Sequence, residues 1–175
     1  MKKIVFFDGD GTLWYPSASR RERAPFWVYR DESTKETYLK HMELTPEALS
    51  TLQALRGRGI VNVILSTHPH PPDEAIVVLK EKVAHFSVGD LFDEVHATRE
   101  NMEAKGEKIL EILASRGLNK ADGLMVGDSY RWDYLPARNV GVDAVLLESA
   151  YRQEHADSAA ITDVIQELGD ILALV

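Results

Sequence analysis

The stretch from residue 3 to residue 12, KIVFFDGDGT, constrains the fold of this 175-residue chain more than any other. Its four apolar residues, Ile4–Phe7, have the length and the β-branched and aromatic composition of a buried strand. They lead directly into Asp8 and Asp10, each of which is followed by a glycine. Because ligands bind beyond the carboxyl ends of the strands in an open α/β sheet, this pattern predicts a charged site at the end of the first strand.

Composition limits the kinds of partner that this chain can have. With 28 acidic residues against 20 Lys and Arg residues, the formal net charge is -8, so we expect no binding to nucleic acid and none to an anionic membrane. The chain has no cysteine, which leaves oxygen and imidazole groups as metal ligands. Neither a signal-peptide core nor a membrane-spanning run is found, and we expect a soluble, cytoplasmic protein.

Strands and helices alternate along the chain after residue 44. The predicted strands cover residues 60–65, 91–98, 124–126 and 143–147, and the predicted helices cover 45–57, 73–86, 103–116, 132–139 and 161–168. Thr45 is the expected N-cap of the first helix, with Pro46 at its first position. This alternation predicts a single domain over residues 1–175, a three-layer α/β/α Rossmann-like sandwich around a central parallel sheet.

Residues 13–44 interrupt this alternation with aromatic, arginine and other polar residues. Two short strands at 26–29 and 37–39, joined by a polar turn, are predicted to form a small β-hairpin flap. The alternative is a surface excursion whose aromatic residues pack on the main body.

Polar side chains follow four of the predicted strands. They are Asp8 and Asp10, then Ser66 and Thr67, then Lys105, and finally Asp128 and Asp133. Because the carboxyl ends of parallel strands share one edge of the sheet, we expect these side chains to converge. Carboxylates that converge repel one another unless a cation neutralises them, and hard oxygen ligands favour Mg²⁺.

Taken in order, these residues resemble the four motifs of the haloacid dehalogenase superfamily, specifically its phosphatases with an Asp-x-Asp motif. The motifs are residues 8–12 (DGDGT), Ser66, Lys105, and residues 127–129 (GDS) with Asp133. The resemblance spans roughly residues 3–147. It implies a Mg²⁺-dependent phosphomonoester hydrolase that acts through an aspartyl-phosphate intermediate.

The resemblance also implies a role for each residue. Asp8 would be the nucleophile, and Asp10 the general acid and base. Ser66 and Lys105 would hold the phosphoryl oxygens, with Thr67 as the neighbouring candidate for the hydroxyl.

The implied metal site is built from acidic residues. Asp8, the backbone carbonyl of Asp10, and Asp128 would coordinate Mg²⁺, and Asp133 would either coordinate it or order its water ligands.

Several alternatives stay open from the sequence. Lys108 competes with Lys105 as the phosphate-binding lysine, and His68 and His70 are interpreted as part of a loop lining the substrate pocket. A signalling receiver domain also gathers acidic residues, a hydroxyl group and a lysine around Mg²⁺, but its acid pair and its phosphoacceptor lie on different strands. A non-hydrolytic interaction protein with the same fold is the third hypothesis.

Members of this superfamily differ mainly in the cap domains inserted after the first or second motif. Here only 35 residues span Gly11 to Thr45, and 38 separate Ser66 from Lys105, so neither interval holds a large helical cap. The chain is therefore similar to the cap-less magnesium-dependent phosphatase-1 type, with its opening at residues 11–14 (GTLW). We expect a phosphorylated small molecule or a phosphopeptide as substrate, and a homo-oligomer is compatible with this arrangement.

Overall fold

The computed structural model describes residues 1–101, 103–151 and 161–175. The strands are β1 (Ile4–Phe7), β2 (Trp14–Pro16), β3 (Met42–Leu44), β4 (Val61–His68), β5 (Glu94–Arg99), β6 (Gly123–Gly127), β7 (Asp143–Leu147) and β8 (Val164–Ile165). The helices are α1 (Ala48–Gly57), α2 (Pro72–His85), α3 (Ala104–Ser115) and α4 (Leu135–Asn139). Within the described residues, no helix combines the length and the apolar character needed to cross a membrane.

Six strands form one parallel sheet in the order β5-β4-β1-β6-β7-β8. Val5 and Phe7 of β1 pack on the side of α1 and α2, whereas Ile4 and Phe6 pack on the side of α3 and α4. All four side chains are fully buried, so β1 has no exposed face. The predicted three-layer α/β/α sandwich with a central parallel sheet is confirmed, and β1 lies between β4 and β6.

A small antiparallel hairpin is present, but the strands predicted at 26–29 and 37–39 are wrong. The hairpin pairs β2 with β3, in the register Trp14 to Leu44. Segments Pro25–Tyr29 and Lys35–His41 are 3₁₀ turns instead. A proline at the start of the first turn fixes its φ angle and supplies no N–H for strand pairing.

The predicted helix at 161–168 is also wrong. Residues Val164–Ile165 form β8, which pairs in parallel with β7, and a 3₁₀ turn follows at Leu168–Ala173. Apolar residues spaced by three and four over only eight positions do not distinguish a helix from a short strand. The edge of β7 offers backbone partners to two β-branched residues, which favours the strand.

Helix α1 begins later than predicted. The N–H of Thr45 donates to the carbonyl of Leu13, which extends the hairpin pairing by one residue. Glu47 then has a left-handed conformation, with φ of 62°, before the helix starts at Ala48. The buried hydroxyl of Thr45 has no hydrogen-bond partner in the described part of the chain, so Thr45 is not the N-cap.

Candidate active site

Three carboxylates meet at the carboxyl ends of β1 and β6. Within the described residues, Asp8, Asp128 and Asp133 each offer an oxygen atom, and these atoms all lie within 4.8 Å of one another. Their exposed fractions are only 7%, 7% and 1%. Hard oxygen ligands at this spacing fit a divalent cation such as Mg²⁺.

Burial, and after it the crowding of like charges, governs the electrostatics of this cluster. Burial and the neighbouring charge of Asp8 raise the pKa of Asp133 to about 7, although Lys105 acts in the opposite direction. Burial, Asp133 and Asp8 together raise the pKa of Asp128 well above its usual value. Both shifts mean that the ionised cluster lacks enough positive charge, a deficit that a bound cation would remove.

Lys105 is the cation that the chain itself supplies to the cluster. Its Nζ atom donates to Oδ1 of Asp8 at 3.0 Å and to Oδ1 of Asp133. Burial lowers the pKa of Lys105, but the two carboxylates outweigh that effect and raise it overall. Lys108, the alternative left open by the sequence, instead pairs with Glu111 on the outer face of α3.

Asp10 lies two residues beyond Asp8, but its carboxylate belongs to a different set of contacts. Oδ1 accepts from Nε1 of Trp14 at 2.7 Å and from Nζ of Lys82 at 2.9 Å. Oδ2 accepts from the Tyr29 hydroxyl at 2.8 Å and from the same Lys82 at 3.0 Å. The side chain of Asp10 is therefore not part of the three-carboxylate cluster described above, and only its backbone remains as the predicted metal ligand.

The two hydroxyl candidates on β4 point in different directions. A Cβ atom built on Gly9 would lie 3.5 Å from Oγ of Ser66, so this hydroxyl packs against the turn that carries the two acids. The hydroxyl of Thr67 instead contacts that of Thr98 on β5, at 3.4 Å. Successive side chains of a strand face opposite sides, which explains why only one of the pair reaches the turn.

Asp128 is held by two hydroxyl groups. Thr12 donates to its Oδ1 at 3.4 Å, and Tyr151 donates to its Oδ2 at 2.6 Å. Gly11 passes close by with φ of 91°, and a Cβ atom there would lie 2.2 Å from Oδ2 of Asp128. A side chain at residue 11 is thus excluded both by backbone conformation and by space.

A cleft of about 630 Å³ lies next to Tyr151, whose hydroxyl donates to Asp128. It is lined by Glu22, Arg23, Ala24, Phe26, Trp27, Arg30, Asp31, Ala150 and Tyr151. The guanidinium of Arg23 lies 5.3 Å from the ring centroid of Trp27. Tyr151 connects the cleft to the acidic cluster, because it lines the cleft and donates to Asp128.

His68 and His70 lie at the end of β4 and contact each other, with ring centroids 5.0 Å apart. The backbone N–H of His70 donates to Nδ1 of His68 at 3.2 Å. Burial, Lys82 and His70 lower the pKa of His68. These contacts favour a neutral imidazole for His68.

Lys82, which no sequence motif indicated, is the main addition that the structure makes to the site. Its position on α2 carried a signal, because the buried face of that helix consists of Ala75, Leu79, Lys82 and Val83. A lysine on the apolar face of an amphipathic helix requires a buried partner. Tyr151 had no comparable signal, since its contact with Asp128 depends on the fold of the chain.

The family described as haloacid dehalogenase-like hydrolase matches residues 18–141 of the chain. The chain belongs to this family. The match begins after Asp8 and Asp10, so the placement of these two acids in the hydrolase site rests on the geometry given above.

A curated relative of this haloacid dehalogenase-like hydrolase is a phosphatase. A ribulose-1,5-bisphosphate 5-phosphatase from Halopiger xanaduensis is 27% identical over 148 residues, which are 78% of this chain and 59% of that protein. The chain thus spans less than two thirds of that curated relative's length.

Solved structures share the fold at lower identity. A predicted phosphoglycolate phosphatase from Haemophilus somnus has a TM-score of 0.70 at 19% identity, covering 99% of this chain and 97% of that chain. A 2-haloacid dehalogenase from Pseudomonas syringae has a TM-score of 0.66 at 16% identity, covering 99% and 98%. Because both activities occur on this fold, the side chains of the site must decide the reaction.

Proposed function

We propose that this hydrolase is a Mg²⁺-dependent phosphomonoester phosphatase that acts through an aspartyl-phosphate intermediate on Asp8. The observation that supports this most strongly is the joint contact of Lys105 with Asp8 and Asp133, inside a cluster of three carboxylates within 4.8 Å. A nucleophilic carboxylate, a lysine for the phosphoryl oxygens and a set of hard metal ligands then occupy one place, as phosphoryl transfer requires.

In the first step, a carboxylate oxygen of Asp8 bonds to phosphorus while the bond from phosphorus to the ester oxygen breaks. Lys105 already holds Oδ1, so we assign the attack to Oδ2. Asp10 donates a proton to the departing oxygen. Ser66 and Lys105 stabilise the charge on the phosphoryl oxygens.

In the second step, a water molecule attacks the phosphorus of the aspartyl phosphate. Asp10 accepts the proton of that water, which releases inorganic phosphate and restores the Asp8 carboxylate. Asp8, the backbone carbonyl of Asp10, and Asp128 would hold Mg²⁺, and Asp133 would coordinate it or order its waters. When bound, the cation neutralises the crowded carboxylates and the negative charge of the phosphoryl group.

We further propose that the chain is a single hydrolase domain of the cap-less type, with residues 13–44 as the insertion beside the site. The described part of that insertion contains one short hairpin and two 3₁₀ turns rather than a helical cap. The cleft next to Tyr151 would then receive the leaving group of a phosphorylated small molecule or a phosphopeptide. The curated relative acts on a sugar bisphosphate, which makes sugar phosphates the first substrates to screen.

The test is hydrolysis of p-nitrophenyl phosphate with excess Mg²⁺ or with a chelator. Asp8→Asn should lower turnover by at least about 10³-fold, because no covalent intermediate forms without the carboxylate. The exposed residue Asp90 provides the matched control, and Asp90→Asn should leave turnover unchanged. Full turnover by Asp8→Asn, or by the chelated wild type, contradicts the proposal.

Acetyl phosphate, used in the same assay, distinguishes the receiver-domain hypothesis from the phosphatase hypothesis. A receiver domain accumulates a stable phosphoaspartate and turns over slowly. The location of Asp8 and Asp10 on one turn, rather than on two strands, favours the phosphatase.

A further inference from the structure

Lys82 forms a buried, two-point ion pair with Asp10. Its ammonium lies 2.9 Å from Oδ1 and 3.0 Å from Oδ2 of that carboxylate. Only 1% of its side chain is exposed. A charge that is so fully removed from water destabilises the folded protein unless an opposite charge lies close to it in a good orientation.

The ammonium of Lys82 also lies among three aromatic rings of the 13–44 insertion. The ring centroids of Tyr29, Tyr38 and Trp14 are 4.9, 5.9 and 5.9 Å from Nζ. These distances allow cation–π attraction, which is stronger in a site without water. Helix α2 is thereby connected to the insertion at the point where Asp10 is held.

Four hydrogen bonds fix the plane of the Asp10 carboxylate. Two come from Lys82, one from Trp14 and one from the Tyr29 hydroxyl. A carboxylate held at both oxygens by donors from three separate elements cannot rotate without breaking several contacts. Its orientation is therefore set before any substrate arrives.

The two acids of the Asp-x-Asp motif have separate lysines. Lys105, from α3, donates to Asp8, and Lys82, from α2, donates to Asp10. Asp8 and Lys105 belong to the phosphoryl side of the site, as proposed above. The contact between Lys82 and the Asp10 side chain lies outside the cluster of Asp8, Asp128 and Asp133.

We propose that Lys82 is the positioning residue for Asp10 in proton transfer to the leaving oxygen, an inference that rests on the proposed phosphatase function. By holding both carboxylate oxygens it fixes the orientation of the ionised Asp10 side chain. When Asp10 carries the proton that it later donates, the protonated oxygen releases its contact with Lys82 while the other oxygen keeps its own. Loss of this contact leaves Asp10 in place along the chain but free to rotate. Proton transfer then slows, since it depends on the geometry of the donor.

The test compares two esters that differ in their need for a proton. Nitrophenolate leaves readily without one, whereas the alkoxide of glycerol 2-phosphate does not. Lys82→Met should lower kcat/KM for glycerol 2-phosphate by about 10²-fold and for p-nitrophenyl phosphate by about tenfold or less. Lys80→Met, the same substitution at an exposed residue of the same helix, is the matched control and should change neither value.

A double-mutant cycle separates positioning from general damage to the fold. When Asp10→Asn is already present, adding Lys82→Met should lower kcat/KM for glycerol 2-phosphate by a further factor of less than about two. The carboxylate that Lys82 positions is already absent in that background. Equal losses on both esters, or additive losses in the cycle, overturn the positioning role while leaving the phosphatase function standing.

A stability measurement reports on the contact without any activity. The effects of Lys82→Met and Asp10→Asn on the thermal midpoint should be strongly non-additive, since each variant leaves the other partner without its opposite charge. Additive shifts in the midpoint contradict the ion pair. Failure of the wild type to hydrolyse either ester overturns the proposed function, and the positioning role with it.

Discussion

Nζ of Lys105 lies 3.0 Å from Oδ1 of Asp8, although 97 positions separate the two residues in the chain. The contact joins the start of α3 to the end of β1, across the edge of the parallel sheet. It is buried on both sides, with side-chain exposures of 1% and 10%. The protein itself therefore balances part of the charge of the proposed nucleophile, although Asp133 shares the same lysine.

Removal of Lys105 should be costly in two ways. Lys105→Met should lower the free energy of unfolding by about 3–5 kcal/mol, because it leaves two carboxylates buried without their cation. It should also lower kcat by about 10²-fold or more, through loss of the positive charge on the phosphoryl oxygens. Denaturant unfolding and ester hydrolysis measure the two effects.

Lys108→Met is the matched control for that experiment, one turn further along the same helix. Its partner Glu111 is exposed, so the change in unfolding free energy should stay below about 1 kcal/mol. A larger effect of Lys108→Met on kcat than of Lys105→Met would assign the phosphate-binding role to Lys108.

Stability without a divalent metal should fall as pH rises from about 4 to about 7. In the folded chain the pKa of Asp133 is raised to about 7, and the pKa of Asp128 is raised as well. Both residues therefore keep their protons in this pH window, whereas in the unfolded chain they have ordinary pKa values and lose them. Fewer protons bound by the unfolded state mean that the free energy of unfolding decreases with pH.

Mg²⁺ should reverse this trend, because it binds the ionised carboxylates only. The rise in thermal midpoint on adding Mg²⁺ should be larger at about pH 8 than at about pH 5. Asp128→Asn should remove most of this difference. An equal rise at both pH values would show that the raised pKa values do not belong to the metal site.

Gly11→Ala should disrupt the site through both strain and a clash. The positive φ of residue 11 disfavours any side chain, and the added Cβ atom would meet Oδ2 of Asp128 at 2.2 Å. Mg²⁺ affinity, measured by calorimetry, should therefore fall by at least about tenfold. Gly117→Ala provides the control, since its φ is 65° but no atom lies within 4 Å of its Cβ position. That variant should lower stability by about 1 kcal/mol and leave Mg²⁺ affinity unchanged.

Trp14 should contribute far more to stability than the other large aromatic residues of the insertion. It is fully buried, stacks on Phe86 with ring centroids 5.8 Å apart, and donates to Asp10. Trp14→Leu should lower the unfolding free energy by about 3 kcal/mol. Phe26, which is 51% exposed, is the control, and Phe26→Leu should change it by less than about 0.5 kcal/mol. Similar losses from both variants would mean that the insertion does not pack as described.

Local patterns were sufficient to predict five of the six strands of the sheet and the meeting of Asp8 with Asp128 and Asp133, but neither β8 nor the separate contacts of the Asp10 side chain. A fully apolar strand followed by Asp8 indicates a buried strand with a polar end, and the parallel topology then brings Asp128 to the same edge. Periodicity alone does not separate Lys105 from Lys108, which lie within one turn of the same helix. The resemblance favoured Lys105, and its contacts with Asp8 and Asp133 agree with that preference.

The insertion was less predictable, because its structure depends on partners distant in the chain. The hairpin pairs Trp14 with Leu44, and the residues between these two show no local periodicity that would predict the pairing. Thr34 donates to the carbonyl of Val28, and Ser33 donates to the carboxylate of Asp31, so that segment meets its hydrogen-bonding needs through turns. Short apolar runs there resembled strands without having a neighbour to pair with.

Strand β1 is packed from both faces, and this has a consequence for engineering. Packing on both faces of β1 fixes the position of the Asp8 carboxylate at its end, so substitutions at Ile4–Phe7 would disturb both catalysis and folding. The exposed residues that line the cleft lie outside that interior, and they are Glu22, Arg23, Phe26, Arg30 and Asp31. A randomised library confined to these residues can therefore alter which ester enters while the reacting group stays where it is.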